Sequence, residues 1–397
     1  MALHAEEQVL MTIGDTEPVD VGEEFADVLR AAYYYALVDG GRVVGPGQLL
    51  VAAARNDERA GRVLGRTVAQ ARATVSRGEG PDTGDGAGPV PSGYAGMLRE
   101  ARWWVLRAQR DAVPADPPLW STAVGPALTR SARTARSAGV TRLDVPHLVL
   151  GLLDPADPSV AELARRTGLD VAAARRRIAA GDLAAEPAPF APLVDPLRVA
   201  GAVRSRSPWL VRWLPALFAR LTGRQARWGG PVLACLEREV MRQAVLVGHD
   251  VVQTSAVLLA IVSLDAQLAA TGQRLVTAYQ PHNQGGKALT DVGFQLGPAR
   301  SVAESWTGER EALPVADSSA RFWGTGKPGD PRWGVAATRV MDRATDLARE
   351  HGHADAGTSH LLAAVLAEDG AAGHLLAALG LDREELRRRV THQLTSG

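Results

Sequence analysis

The chain repeats itself, and that repetition constrains the fold before any single side chain is weighed. Near the C-terminus, Ala348-Arg-Glu-His-Gly-His353 leads to Gly357-Thr-Ser-His-Leu-Leu-Ala-Ala-Val-Leu366 and then to His374-Leu-Leu-Ala-Ala-Leu-Gly-Leu-Asp382. The same order runs through Ala135-Arg-Ser-Ala-Gly139, Val145-Pro-His-Leu-Val-Leu-Gly-Leu-Leu153 and Glu162-Leu-Ala-Arg-Arg-Thr-Gly-Leu-Asp170. Two fainter copies keep the skeleton. One joins Phe25-Ala-Asp-Val-Leu29, Gly40-Gly41, Gly45-Pro-Gly-Gln-Leu-Leu50 and Arg62-Val-Leu-Gly65. The other joins Gly248-His249, Thr254-Ser-Ala-Val-Leu-Leu-Ala-Ile261 and Gln267-Leu-Ala-Ala-Thr-Gly272. The glycines expected to end the first and third helices lie 24 residues apart in the first copy (Gly41, Gly65) and in the third (Gly248, Gly272). They lie 29 apart in the second (Gly139, Gly168) and 28 in the fourth (Gly352, Gly380). Odd copies resemble odd and even resemble even, which reads as a two-copy unit of about 210 residues, itself duplicated. Repeats build extended surfaces more readily than a single pocket.

Each copy reads as four short helices. From Val21 to Val38, the residues Phe25, Val28, Leu29, Ala32 and Ala36 share one side at helical spacing. Gly40 and Gly41 then offer a left-handed stop, and Pro46 opens the next helix in its first turn. Asp57 is placed to cap a third helix ending near Gly65, and a fourth runs to about Val75. In the second copy Asp170 caps the last helix, which carries Arg175-Arg-Arg177 on a solvated face; in the fourth, Asp382-Arg-Glu-Glu385 forms a capping box. The fourth copy offers Leu361, Leu362, Val365 and Leu366 on its second helix and Leu375, Leu376 and Leu379 on its third. Each leucine is worth about 1.5–3 kcal/mol if fully buried, and one copy is too small to shelter them all, so two copies should pack face to face.

The expected fold is therefore all-α: tandem double-repeat helical domains, four copies in two pseudo-duplicated halves. The first domain spans 1–184, with repeats at about 21–78 and 117–180. Between them lie a Gly/Pro/Asp-rich loop (Glu79 to Pro91) and an added helix at 94–110 carrying Trp103 and Trp104. A Pro/Ala-rich linker covers 185–206. The second domain spans 207–397, with repeats at about 230–275 and 331–395 and an insertion at 276–330. It opens with an aromatic helix at 207–222, in which Trp209, Trp213 and Phe218 face Arg212 and Arg220. Such a helix can lie on a membrane surface. Its short length and Pro215 favour a connector packed on a neighbouring domain.

The bulk numbers remove several function classes. Over 397 residues, Lys+Arg and Asp+Glu are 44 each, so no global charge argues for nucleic acid. Lys287 and Lys327 are the two lysines; an arginine excess beside abundant alanine and glycine reads as coding bias rather than phosphate binding. Cys235, the single cysteine, cannot form an internal disulfide, reads as a buried inert thiol and fits a reducing cytoplasm. Neither a signal peptide nor an apolar run approaching the ~20 residues of a membrane span is expected, which leaves a cytoplasmic protein without a membrane partner.

At these residues the chain resembles the Clp N-terminal domain, the double helical repeat that precedes the ATPase rings of Clp-type unfoldases. The family phrase is Gly-His, a short loop, Thr-Glu-His-Leu-Leu, and a small-residue helix ending Leu-Gly. The fourth copy matches it through Gly352-His353, Thr358-Ser-His-Leu-Leu362 and Leu379-Gly380, and the second keeps His147-Leu148 and Leu152-Leu153. The resemblance implies a module that binds proteins or peptides and hands substrates or adaptors to a Clp machine. It places candidate ligand contacts at the starts of the second helices: Gln48, His147, Ser255, Ser359 and His360. In some family members the glutamate of Thr-Glu-His binds phosphorylated arginine. The matching positions here, Gly47, Pro146, Ser255 and Ser359, carry no carboxylate for a guanidinium.

No catalytic set stands out. Gly324-Thr-Gly-Lys327 is followed by Pro328 and lacks the spacing of a phosphate loop. No Gly-x-Ser-x-Gly elbow appears, and neither Ser255 nor Ser359-His360 has an oriented acid nearby in sequence. The nine histidines show no zinc-ligand spacing, so neither metal nor cofactor is expected. The leading expectation is a non-enzymatic protein- or peptide-binding module: an adaptor, regulator or decoy in Clp-dependent proteolysis. The alternative is a sequestering binder of small cyclic peptide antibiotics that target Clp. A third reading is an enzyme using the 276–330 insertion. Replacing Ser359 and His360 together is expected to weaken ligand binding without unfolding the chain.

Overall fold

Short apolar stripes cut by left-handed glycines make this chain a succession of helices. The computed structural model describes residues 20–71, 92–109, 115–184, 188–204, 229–306, 327 and 329–396. The Gly/Pro-rich loop before Pro91, the expected connector helix at 207–222 and Gly324 to Gly326 lie outside the described residues. The chain divides into two compact units, Met1–Phe190 and Ala191–Gly397.

In the first unit, β1 (Asp20–Val21) leads into α1 (Glu23–Val38), β2 (Val43–Val44), α2 (Pro46–Asn56), α3 (Glu58–Leu64) and α4 (Arg66–Gln70). Then come α5 (Ser92–Ala108), β3 (Leu119–Trp120), α6 (Val124–Ser137), β4 (Arg142–Leu143), α7 (Val145–Leu152), α8 (Pro158–Thr167) and α9 (Val171–Ala179). The stripe on α1 is buried, with Phe25, Val28, Leu29, Ala32 and Ala36 all closed to solvent beside Leu49, Leu50, Leu128, Leu148 and Leu152. The two halves are laced by two-residue parallel pairs, β1 with β4 and β2 with β3. Each pairs the strand before one half's first helix with the loop between the first two helices of the other half. Tyr33 ties this crossing to the core: its hydroxyl donates to Pro118 O at 2.9 Å and its ring packs on Trp120.

The second unit contains α10 (Val194–Val199), α11 (Pro231–Leu246), β5 (Val251–Val252), α12 (Thr254–Ala270), α13 (Gly285–Thr290) and α14 (Leu296–Ser305). It continues with β6 (Arg332–Trp333), α15 (Val335–Glu350), α16 (Thr358–Ala367), α17 (Ala371–Ala378) and α18 (Arg383–Ser396). The same lacing recurs: β5 pairs with β6, and the Ala356 N–H donates to Gly229 O. Leu361, Leu362, Val365, Leu366, Leu375 and Leu376 are buried, while Leu379 is half-exposed.

Two sequence expectations for this unit change. The third copy has no separate helix ending at Gly272. Its second helix runs unbroken from Thr254 to Ala270, and Gly272 terminates that helix with φ +62°. No Gly or Pro interrupts this stretch and its side chains are apolar and buried on nearly every side, so nothing stops the helix earlier. The match in glycine spacing between the first and third copies thus joins unlike helix ends. The insertion at 276–330 holds α13 and α14, which pack on α12 through Ala288, Leu289, Ala299 and Ala303.

Among the described residues no single helix is long and apolar enough to cross a membrane. Cys235 is half-buried on α11, and desolvation pushes its thiol up to about 11.

Candidate functional site

The starts of α2, α7 and α16 share one device. Four N–H groups at a helix N-terminus lack intrahelical acceptors, so a side chain three residues into the helix that reaches back can satisfy one. Gln48 does this in α2: its Oε1 accepts the Gly45 N–H at 2.9 Å. In α7 the imidazole of His147 takes the same part, Nδ1 accepting the Asp144 N–H at 3.2 Å. In α16 His360 repeats it, Nδ1 accepting the Gly357 N–H at 3.0 Å. The histidine of the repeated phrase is therefore a helix cap, which explains its fixed distance from the preceding loop. At the start of α12 this position is Ala256, and the neighbouring Ser255 Oγ and Gln253 Oε1 are buried without a hydrogen-bond partner.

The five candidate contact residues separate accordingly. His147, Ser255, Ser359 and His360 are buried and Gln48 is half-buried. In this conformation Gln48, His147, Ser359 and His360 hydrogen-bond within the fold, while the Ser255 hydroxyl is enclosed without a partner. Ser359 and His360, paired in sequence as a ligand-binding couple, are both enclosed where α16 begins. Sequence reasoning missed the cause, because the enclosing segment comes from far away in the chain.

That segment is 282–285. Ser359 N–H donates to His282 O at 3.0 Å, and Thr358 N–H donates to Asn283 Oδ1 at 2.9 Å. In return Gln284 N–H donates to Ser359 Oγ at 3.1 Å and Gly285 N–H to Thr358 Oγ1 at 3.0 Å. Two helix starts thus satisfy one another's free amides. The approach is close: a Cβ on Gly357 would lie 2.1 Å from His282 O, and one on Gly285 would lie 2.4 Å from Thr358 O. Glycine is required at both because backbone fills the space a side chain would need.

The docking brings His282 onto His353 and His360. The His282 and His353 rings stack at 3.7 Å between centroids, and the His351 ring lies nearly parallel to that of His353 at 5.7 Å. His353 Nδ1 lies 2.8 Å from His360 Nε2. Since His360 Nδ1 accepts from Gly357, its neutral ring carries the proton on Nε2 and donates to His353 Nδ1. Burial, then repulsion from His353, His282 and His351, lowers the His360 pKa to about 3. Desolvation also lowers those of His282 and His353, the latter with help from His282 and His351, and desolvation alone lowers that of His147. Among the described residues, His282, His353 and His360 form one group whose ring nitrogens lie within 4.8 Å of one another, close enough to hold a metal ion. Sequence spacing gave no sign of it, since His282 belongs to the segment read as an insertion.

A helical module laced by short parallel strands, with a capped second helix, is the class these features define. The family profile of the Clp repeat (R) N-terminal domain matches residues 335–397, from α15 through α18. Through this segment the chain resembles the Clp N-terminal domain family. It is also 28% identical over 195 residues to the chloroplastic chaperone protein ClpC of Pisum sativum, covering 49% of this chain and 17% of that relative. The chloroplastic ATP-dependent Clp protease ATP-binding subunit ClpA homolog CD4B of Solanum lycopersicum matches with the same identity and coverage. The match therefore spans about a sixth of the length of each relative. The N-terminal domain of ClpD from Arabidopsis thaliana aligns with 40% of this chain and 92% of its own, at 20% identity and a TM-score of 0.28.

Proposed function

We propose that this protein is a non-enzymatic binding module of the Clp N-terminal type, whose ligand is a protein or peptide and whose partner is a Clp ATPase or protease. It would act in the cytoplasm as an adaptor or regulator of Clp-dependent proteolysis. The observation that carries the reading is the Clp repeat at 335–397, the segment in which the repeated phrase is most complete. The helix starts support a binding rather than a catalytic part: their polar side chains are consumed by capping, and no nucleophile there is paired with an oriented base. A ligand would meet the exposed surface around these loops rather than the buried caps themselves.

The test is an affinity capture from the native host's lysate with the tagged chain, followed by titration of the purified chain against each Clp component recovered. Enrichment of a Clp ATPase or peptidase with direct, saturable binding supports the reading. Recovery of no Clp component, or recovery without direct binding, removes the adaptor role.

A further inference from the structure

We propose that His282, His353 and His360 form a binding site for a divalent transition-metal ion of the zinc class, with a fourth position open to water or an outside ligand. Three imidazoles reach this point from three separate segments: the loop before α13, the loop after α15 and the first turn of α16. A tetrahedral zinc ion with bonds of about 2.0–2.1 Å holds its ligand nitrogens about 3.3 Å apart. That value lies between the 2.8 Å separating His353 Nδ1 from His360 Nε2 and the 4.8 Å that bounds the whole group. Small side-chain rotations therefore suffice.

The backbone under the site is already fixed. Ser359 N–H holds His282 O at 3.0 Å, and His353 N–H donates to Ala348 O at 2.8 Å at the end of α15. The fold does not need the imidazole of His282. The docking bond uses its carbonyl, and the ring's described contacts are with other imidazoles. His282 and His353 are half-buried, which leaves an entry path from solvent, while His360 forms the closed floor.

One interaction opposes the metal. Binding takes the Nε2 lone pair of His360, so the ring's proton moves to Nδ1 and the Gly357 N–H loses its acceptor. A ligating histidine is normally held by donating its other N–H, so this site works against its own cap. The loss of one capping hydrogen bond lowers affinity by about 10- to 100-fold. Three imidazole bonds outweigh it, and the resulting site is moderate in strength rather than a permanent structural one.

The experiment is calorimetric titration of zinc chloride into the untagged full-length chain, repeated with His282→Ala, His353→Ala, His360→Gln and His147→Gln. His360→Gln is chosen because Gln48 already performs the same cap, so the variant keeps its fold, checked by circular dichroism. One zinc per chain is expected, bound in the micromolar range and weakened at least tenfold by each of the three cluster variants. His147→Gln should leave it unchanged. Hydrogen exchange should show the Gly357 amide becoming less protected when zinc binds. Zinc binding weaker than about 1 mM overturns the proposal. So does wild-type affinity in any of the cluster variants, or a Gly357 amide that stays equally protected.

Discussion

His147 and His360 do the same work in two different surroundings. Both sit at the third position of a helix and both take the N–H of the residue before it, yet His147 acts alone while His360 is the floor of a stack of imidazoles. The surroundings of His360 come from what covers its helix start. In the first unit, the start of α2, capped by Gln48, has its Gly47 N–H satisfied by Ser159 Oγ at the start of α8. In the second, the start of α16 is covered by 282–285, which brings a histidine with it. A capping device common to both units thus becomes a potential ligand site in one because the segment docked over it differs.

The docking contact gives the largest expected contrast. Gly357→Ala should cost about 3 kcal/mol, since its Cβ must displace the carbonyl of His282 or the segment behind it. The equivalent Gly45→Ala in the first unit meets only ordinary or slightly tight contacts at φ −113° and should cost well under 1 kcal/mol. Hydrogen exchange followed separately in each unit would show it; equal effects would mean that 282–285 does not hold α16.

Acid should separate the units next. The folded pKa of His360, about 3, lies below the unfolded value of about 6.5, so only the unfolded chain takes up a proton between them. Stability is full above pH 6.5 and falls as pH drops, by about 2 kcal/mol at pH 5 from this ring alone. With chelator present, the unfolding midpoint of the second unit should fall more steeply from pH 7.5 to 5 than that of His360→Gln. An unchanged slope in the variant would place the acid sensitivity elsewhere.

Removing the lone cap should cost less. His147→Ala is expected to lose about 1 kcal/mol, and His147→Gln to recover most of it, because glutamine can accept the same N–H as Gln48 does. Thermal melts would read both. The smallest effects contrast two buried serines. Ser359→Ala removes the acceptor of the Gln284 N–H and should destabilise by about 1 kcal/mol. Ser255→Ala removes a hydroxyl with no partner and should be neutral or stabilising. If both behave alike, the α12 and α16 starts are equivalent after all.

Much of this fold is legible in local sequence. The stripe Phe25, Val28, Leu29, Ala32 and Ala36 marks a helix and its buried side. Asp57, Asp170 and Asp382 cap where their positions predict, with Asp57 accepting from Arg59 and Ala60, Asp170 from Ala173, and Asp382 from Glu384 and Glu385. Helix ends are short-range matters of spacing and backbone freedom, so a few residues suffice to read them. The third copy defeats the same approach: Gly272 has the right spacing but ends the wrong helix, because spacing alone cannot tell a long helix from two short ones.

By itself, the sequence determined an all-α chain, its capping residues and its likeness to the Clp repeat, since each depends on neighbours three or four positions apart. Tertiary structure decided what those residues touch. His282 lies 71 positions before His353 in the chain, and no local pattern couples them. They meet because two helix starts, both short of hydrogen-bond acceptors, fold onto each other. That closure turns Ser359 and His360 from apparent surface contacts into buried parts, and a capping histidine into one of three.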